Sequence, residues 1–131
     1  MIIVDTSVLI DYLANRNTVE TDWLGENVGT VTCGLTDLIL YEVLRGIRND
    51  ADVAAVQEEL RAFQQWPTMT PRLEVAAAEN YRSLRKRGIT IRKTVDCLVA
   101  SFCLEHGHEL LHNDRDFEAF EKHLGLQVVH P

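Results

Sequence analysis

The sequence predicts an α/β fold in which helices cover both faces of a central, mostly parallel sheet of four or five strands, a three-layer α/β/α arrangement. Short apolar segments rich in β-branched residues alternate along the chain with segments of helical periodicity. This alternation favours parallel strands joined by right-handed crossover helices. No repeat, linker or low-complexity segment interrupts it, so residues 1–131 are predicted to form one domain.

The first half of the chain opens with a predicted buried strand and continues mainly as helices. Residues 2–4 are a short apolar run that stops at Asp5, and helical spacing of apolar residues follows within about two residues. Residues 30–33 are the second predicted strand, because they are rich in β-branched residues and lie between Gly29 and Gly34. The helices predicted in this half span residues 8–13, 19–24 (ending near Gly25), 38–44 and 53–66, the last one ended by Pro67.

The second half is predicted to begin with an edge strand at residues 68–70. Pro71 suits the first position of a helix that Gly88 stops, and a short extended piece follows at residues 89–91. The next predicted helix, residues 95–106, is mostly apolar and carries one acid in its first turn. The remaining predicted elements are strands at residues 109–112 and 126–129, with a helix at residues 117–124 between them.

The composition predicts a folded protein that needs no disulfide bonds. Of its 131 residues 46% are hydrophobic, and a domain of this size removes roughly two thirds of its unfolded surface from water. The three cysteines, Cys33, Cys97 and Cys103, form no CxxC pair, which favours a reducing compartment. No signal peptide precedes Ile2, and no apolar run approaches the length of about 20 residues that crosses a bilayer. We therefore expect a cytoplasmic protein.

Four acids, Asp5, Glu42, Asp96 and Asp114, stand where an ordinary sequence would place other residues. Asp5 and Asp114 each follow a predicted strand directly, so a parallel sheet brings them to the same edge. Glu42 interrupts an apolar helix, where an uncompensated buried carboxylate costs several kcal/mol. Asp96 lies in the first turn of another apolar helix, where free N–H groups favour its ionised form. Such a group of carboxylates suits Mg²⁺ or Mn²⁺ and, with it, phosphodiester hydrolysis.

Each of these acids also has an ordinary structural role when it is considered alone. Asp5 or Asp114 suits a helix N-cap. Glu42 could pair with Arg45 one turn later, and Asp96 could simply complement the helix dipole. Four independent caps and pairs are a poor explanation for two acids at one sheet edge and two more in apolar helices.

Four segments of the chain, taken in order, resemble the successive motifs of PIN-domain ribonucleases. They are residues 3–7 (IVDTS), the lone Glu42 in its apolar helix, residues 94–100 (TVDCLVA) and residues 111–117 (LHNDRDF). Among these ribonucleases, the length of the chain and the sequences of its motifs are similar to those of the bacterial VapC toxins of toxin–antitoxin pairs. Each motif alone is weak evidence for this family, whereas all four in order at this spacing are fairly specific for it. The resemblance covers essentially the whole chain.

The resemblance implies a PIN fold, a metal site and a reaction. Asp5, Glu42, Asp96 and Asp114 would be the catalytic acids; of these, Asp5, Asp96 and Asp114 would hold a Mg²⁺ or Mn²⁺ ion with Asp116, and Glu42 would ligate directly or through water. Thr6, Ser7 and Asn113 would support the site with hydroxyl and amide groups. The reaction would be in-line attack on a phosphodiester by a water that the ion activates. The resemblance further implies a homodimer, a VapB-type antitoxin and structured RNA, such as tRNA or rRNA, as the substrate.

RNA binding needs cations, and six of the thirteen Lys and Arg residues lie between residues 82 and 93 although the net charge is −7. No acid interrupts this cluster, which leads into the Asp96 helix and could deliver a phosphate there. The alternative is a solvated helix end that complements the dipole. The predicted RNA-binding residues are Arg85, Lys86, Arg87, Arg92, Lys93 and Arg115, the last of which could instead pair with Asp114 or Asp116.

The histidines and the aromatic residues give weaker evidence of function than the acids do. The five histidines lack a compact ligand pattern, which disfavours a zinc site. The four aromatic residues Trp23, Tyr41, Phe102 and Phe117 fall at positions expected to pack in a core or interface rather than to stack on bases.

Two other functions fit parts of the pattern. A phosphotransfer domain would also place an Asp after its first strand, but the haloacid dehalogenase type requires a second Asp two residues later, where Ser7 stands. A non-catalytic binding module could keep the acids as a structural metal site. Metal-dependent hydrolysis that is lost in Asp5→Asn would distinguish a nuclease from both.

Overall fold

The chain folds around a four-stranded parallel sheet with the strand order β3-β2-β1-β4. In the computed structural model, which describes residues 1–131, the strands are β1 (Ile2–Val4), β2 (Cys33–Thr36), β3 (Gln64–Trp66) and β4 (Glu109–Leu111). The central strand β1 pairs with β2 and β4, so that Ile3 lies between Gly34 and Leu110. An isolated bridge from Leu110 to Val128 extends the sheet beyond β4.

Seven α-helices complete the three-layer α/β/α fold that the sequence predicts. They are α1 (Thr6–Leu13), α2 (Val19–Asn27), α3 (Asp37–Arg45), α4 (Val53–Leu60), α5 (Leu73–Lys86), α6 (Thr94–His106) and α7 (Glu118–Leu124), with 3₁₀ turns at Asp50–Asp52 and Arg115–Phe117. None of these helices has the length and apolar character that a membrane span requires.

The hydrophobic core surrounds β1, whose three residues are all buried. Strands covered on both faces carry continuous apolar runs rather than alternating ones, which explains the composition of this segment. Leu9 from α1, Phe102 from α6 and Leu110 from β4 are among the large side chains that are almost completely buried with it. The core thereby fixes the carboxyl end of β1, where Asp5 lies.

Two glycines have different roles from those predicted. The second strand is Cys33–Thr36 rather than residues 30–33, and Gly34 lies inside it. A Cβ at Gly34 would lie 2.8 Å from Met1 Sδ and 3.2 Å from the main-chain oxygen of Gln64, so this glycine permits a close approach rather than ending a strand. The second helix likewise continues through Gly25 to Asn27.

The predicted helix at residues 53–66 is wrong over its last six residues. The helix ends at Leu60, and Gln64–Trp66 forms an edge strand that pairs with β2. All three residues of this strand are exposed, so its sequence lacks the apolar pattern that marks a buried strand.

Three predicted extended segments do not form strands of the sheet. Residues 68–70 leave the sheet because Asp37 Oδ1 accepts hydrogen bonds from the Thr68 N–H at 2.9 Å and from its hydroxyl at 2.7 Å. Residues 89–91 adopt no regular structure. The predicted strand at residues 126–129 is reduced to the single bridge at Val128.

Candidate metal centre

An acidic pocket of about 590 Å³ opens at the carboxyl ends of β1 and β4. Asp5 follows β1 directly and Asp114 lies beyond β4, while α3 and α6 bring Glu42 and Asp96 to the same place. The structure thus places the four acids singled out in the sequence in one pocket. Its other polar lining residues are Thr6, Ser7, Arg45, Lys93 and Thr94.

Asp5 is held rigidly at the bottom of this acidic pocket, with only 3% of its surface exposed. As N-cap of α1, its Oδ2 accepts hydrogen bonds from the Ser7 N–H at 3.0 Å and the Ser7 hydroxyl at 2.7 Å. The main-chain N–H of Asn113 in turn donates to Ser7 Oγ at 3.0 Å. Asp5 Oδ1 is buried without a hydrogen-bond partner, and burial raises the pKa of this carboxyl. Asp5 therefore serves as a cap and still has one oxygen free for a ligand.

Asp96 is buried in the first turn of α6, and its Oδ2 also lacks a hydrogen-bond partner. Burial, together with the negative charges of Asp5, Asp114 and Glu42, raises its pKa to about 7 despite the opposing charge of Lys93. A bound cation would remove this electrostatic cost, because an opposite charge favours the ionised carboxylate.

Asp114 has polar partners on both of its carboxylate oxygens. Its Oδ1 accepts the Asp116 N–H at 2.9 Å, and its Oδ2 accepts a hydrogen bond from Lys93 Nζ at 3.2 Å. Although partial burial acts in the opposite direction, these two contacts hold the pKa of Asp114 below its usual value. The same contact raises the pKa of Lys93, so the pair stays charged near neutral pH.

Glu42 faces the acidic pocket from the middle of α3, with 16% of its side chain exposed. Thr6 Oγ1 donates a hydrogen bond to Glu42 Oε1 at 2.9 Å. Arg45 lies one turn later, with its Nη2 4.0 Å from Glu42 Oε2. The contact with Arg45 that the sequence suggested is therefore present but long, and the close partner of Glu42 is Thr6.

The donor set fits a hard divalent cation. Carboxylate oxygens of Asp96, Asp114 and Asp116 lie within 4.8 Å of one another. Asp5 and Asp96 add the two buried oxygens that no hydrogen bond satisfies, and such orphaned acceptors are costly unless a cation or water meets them. No histidine or cysteine belongs to this group, which fits oxygen-ligated cations rather than zinc.

Of the predicted RNA-binding residues, Lys93 alone lines the acidic pocket. Arg85 and Lys86 are exposed at the end of α5, Arg92 is exposed, and the Arg87 guanidinium lies 3.4 Å from His123 Nδ1. Arg115 lines a second pocket of about 380 Å³, which Asp114 also lines. Of the cluster between residues 82 and 93, only Lys93 therefore reaches the acidic pocket.

Arg45 lines the acidic pocket, although the sequence did not mark it as a site residue. Its guanidinium carbon lies 5.3 Å from the centroid of the Tyr41 ring. Of the two expected environments for Tyr41, the core is excluded because 56% of it is exposed, and an interface stays a prediction. The sequence signal for Arg45 was its position three residues after Glu42, since residues three apart on a helix share a face. Phe102 and Phe117 are buried as expected.

Comparison with known proteins finds the same architecture in a defined family. The sequence profile of the PIN domain matches residues 2–123. VapC ribonuclease Mb1587 of Mycobacterium bovis and ribonuclease VapC11 of Mycobacterium tuberculosis are each 27% identical over 140 residues, covering 98% of this chain and 98% of their own length.

Solved structures show the same fold at lower identity. VapBC2 from Rickettsia felis, bound to a DNA fragment from its promoter, matches with a TM-score of 0.80 at 16% identity over 98% of both chains. VapBC-1 from nontypeable Haemophilus influenzae matches with a TM-score of 0.76 at 16% identity, over 98% of this chain and 97% of that one.

Proposed function

This chain belongs to the PIN domain family, and on that premise we propose that it is a toxic, metal-dependent endoribonuclease controlled by an antitoxin. The observation that carries the proposal is the pair of buried, unpaired carboxylate oxygens of Asp5 and Asp96, which lie in the pocket that Asp114 also lines. A protein that used these acids only as helix caps would have no reason to leave both oxygens unsatisfied.

The proposed cofactor is Mg²⁺ or Mn²⁺, held by Asp5, Asp96 and Asp114 with Asp116 beside them. The donor set supports this choice because all its ligand atoms are carboxylate oxygens. When bound, such an ion lowers the pKa of a water and neutralises charge on a phosphodiester.

The side chains of the acidic pocket have separate tasks in the proposed reaction. Ser7 fixes the Asp5 carboxylate through two hydrogen bonds, and Thr6 orients Glu42 for contact with the ion or its water. Lys93 and Arg45, which both line the pocket, provide cations for the phosphates of the substrate. No side chain has to act as a nucleophile.

The proposed substrate is a structured RNA such as tRNA or rRNA. The carboxylate chemistry itself does not use the 2′-hydroxyl, so the choice of RNA over DNA follows the two relatives that carry the name ribonuclease. The basic residues at the end of α5 and after it would attract the RNA backbone, since they are exposed and lead along the chain to Lys93 in the acidic pocket.

The proposed partners are a VapB-type antitoxin and a second copy of this chain. The proposal follows the solved VapBC complexes that share the fold. Ile10, Val19 and Tyr41 are large apolar side chains left exposed on α1, α2 and α3, and they offer a surface that an antitoxin segment could cover. The three free, buried cysteines agree with the cytoplasm as the place of action.

The test is cleavage of total cellular RNA by purified, antitoxin-free protein with Mg²⁺ or Mn²⁺. We expect discrete fragments that disappear with EDTA and in Asp5→Asn and Asp96→Asn. Glu26→Gln, which changes an exposed acid that lines neither this pocket nor the one beside Arg115, is the matched control and should leave the fragments unchanged. Absence of cleavage with either metal, by protein shown to be folded, would contradict the nuclease and favour a metal-binding module without catalysis.

A further inference from the structure

A second, apolar pocket lies beside the acidic one, in the groove between α5 and α6. It encloses about 230 Å³ and is lined mainly by apolar side chains, among them Ala78, Tyr81, Ile91 and Leu98. Lys93 and Thr94 line both pockets, so the two cavities are neighbours at this point. A group bound in the apolar pocket would therefore lie next to a phosphate held at Lys93.

Three side chains give this apolar pocket a defined chemistry. The half-buried ring of Tyr81 forms part of its wall, and the Arg85 guanidinium carbon lies 5.9 Å from the centroid of that ring. Glu74, at the start of α5, is its single acid. The pocket thus combines an aromatic face, a nearby cation and one strong hydrogen-bond acceptor.

We propose that this apolar pocket binds the base of the nucleotide next to the cleaved phosphodiester, and that it prefers bases with an exocyclic amino group. The inference rests on the proposed nuclease function and adds the specificity site. Aromatic rings and Arg planes stack on unpaired bases, and a carboxylate accepts a hydrogen bond from an amino group such as N4 of cytosine. The target nucleotide must then be unpaired, in a loop, bulge or single strand.

The size and rim of the apolar pocket favour a base over a protein partner. Its volume is below the roughly 300–1,000 Å³ of pockets that hold drug-sized ligands, which suits a group as small as one base. The cores of protein interfaces are depleted of charged residues, whereas Glu74 and Lys93 line this pocket and Arg85 lies over its aromatic wall.

The first experiment is an NMR titration of the ¹⁵N-labelled full chain with cytidine, adenosine and uridine 5′-monophosphates, and with ribose 5-phosphate, in the presence of Mg²⁺. We expect the nucleotides to shift the amide resonances of Ala78, Ile91 and Leu98, and ribose 5-phosphate to shift only those around Lys93. The cytidine and adenosine nucleotides should bind at least about fivefold more tightly than the uridine nucleotide. Nucleotides that shift no resonance of the apolar pocket would overturn the proposal.

Variants separate the base pocket from its alternatives. Glu74→Ala should abolish the preference for amino-bearing bases, while Glu79→Ala, an exposed acid on the same helix that lines a different pocket, should keep it. Ala78→Leu fills the pocket with a good helix former and should weaken nucleotide binding at least about fivefold. If Ala78→Leu instead dissociates a dimer in sedimentation and leaves nucleotide binding unchanged, the groove is a contact between copies of the chain and the proposal is wrong.

The same variants distinguish this inference from the proposed function. Sequencing of RNA fragment ends should show a base preference beside the cut in the wild type that is lost in Glu74→Ala. Active enzyme with an unchanged preference in this variant would overturn the base pocket alone. Nucleotide binding in the apolar pocket without any RNA cleavage would instead overturn the nuclease while the pocket is retained.

Discussion

Thr6 and Glu42 are 36 residues apart in sequence and are joined by a hydrogen bond of 2.9 Å from the Thr6 hydroxyl to Glu42 Oε1. The bond connects the first turn of α1 to the middle of α3, at the edge of the sheet where Asp5 lies. Because Glu42 has no other partner closer than Arg45 at 4.0 Å, Thr6 determines the direction in which this carboxylate points.

Thr6→Val should therefore slow RNA cleavage about tenfold, with little change in RNA affinity, because groups that orient ligands typically contribute 10- to 100-fold. Thr6→Ser keeps the hydroxyl and should retain the wild-type rate. Single-turnover cleavage rates measure the effect, with Thr32→Val, an exposed threonine whose side chain makes no hydrogen bond, as the matched control. Equal cleavage rates for Thr6→Val and the wild type would show that Thr6 has no role in the site.

The raised pKa of Asp96 should make metal-free stability depend on pH. The unfolded carboxyl has its ordinary pKa of 3.8, whereas burial raises the folded value to about 7, so the folded state binds more protons between these values. The contribution of Asp96 is therefore fully present below about pH 4 and is lost as the pH rises to about 7. In EDTA, the melting temperature should fall over this range, and Asp96→Asn should reduce the fall.

Divalent cation should reverse this loss at high pH. At pH 8 the Asp96 carboxylate is ionised, so Mg²⁺ should bind it and raise the melting temperature of the wild type. At pH 5.5 protons compete with Mg²⁺ for this carboxylate, so the increase in melting temperature should be smaller. Asp96→Asn should respond weakly at both values. Thermal unfolding followed by circular dichroism measures both effects, and an increase that is independent of pH would argue against Asp96 as a ligand.

The hydrogen bonds that Thr68 donates to Asp37, here called the Asp37–Thr68 clip, should stabilise the fold and should be lost in acid. Asp37 Oδ1 accepts bonds from the N–H and hydroxyl of Thr68, which is fully buried, and from the Leu38 N–H. Although partial burial acts in the opposite direction, these bonds lower the pKa of Asp37, so its stabilisation is present above about pH 4 and is lost as the pH falls through the lowered value.

Substitutions in this clip give graded losses of stability. Thr68→Val removes one hydrogen bond and should cost about 1 kcal/mol in urea unfolding at pH 7, whereas Asp37→Ala leaves two buried donors unpaired and should cost about 2–3 kcal/mol. At pH 3 the difference between Asp37→Ala and the wild type should shrink. RNA cleavage by folded protein should remain normal in both variants, and a loss of cleavage would show that the clip also shapes the acidic pocket.

The same clip shows why part of the chain could not be predicted from local sequence. Residues 68–70 have the composition of a strand, but a side chain 31 residues earlier holds Thr68 out of the sheet. The edge strand Gln64–Trp66 was missed for the opposite reason, since exposed polar residues carry no period-two signal. Both errors come from tertiary contacts that override local propensity.

The acidic pocket was easier to predict because its acids conflict with their surroundings. Asp5 ends a buried strand and Asp96 begins an apolar helix, so each carries a charge where apolar neighbours are expected. Parallel-sheet geometry then brings Asp5 and Asp114 to one edge. Tyr41 conflicts with nothing in its sequence, since an aromatic residue in an apolar helix is ordinary. Its exposure depends on which face of α3 meets the sheet, and that becomes visible only in the structure.

Lys93 should contribute to RNA affinity through charge alone. Its ammonium group lies 3.2 Å from Asp114 and lines both the acidic and the apolar pocket, where a backbone phosphate would meet it. In an Asp5→Asn background that leaves RNA intact, Lys93→Gln should weaken binding of all RNA sequences alike. The slope of log affinity against log salt should become shallower by about 0.7, the value for one phosphate contact on a single strand.

Lys93→Arg keeps the charge and should preserve the slope of log affinity against log salt. The matched control is Lys122→Gln, which removes an exposed lysine on α7 that lines neither pocket. Filter binding at several salt concentrations measures each slope. If Lys93→Gln loses affinity for all RNA sequences equally and Glu74→Ala loses the base preference, the two residues have separate roles in phosphate positioning and sequence selection. A Lys93→Gln variant that changed the base preference and left the salt slope unchanged would contradict this division, because a phosphate contact carries no sequence information.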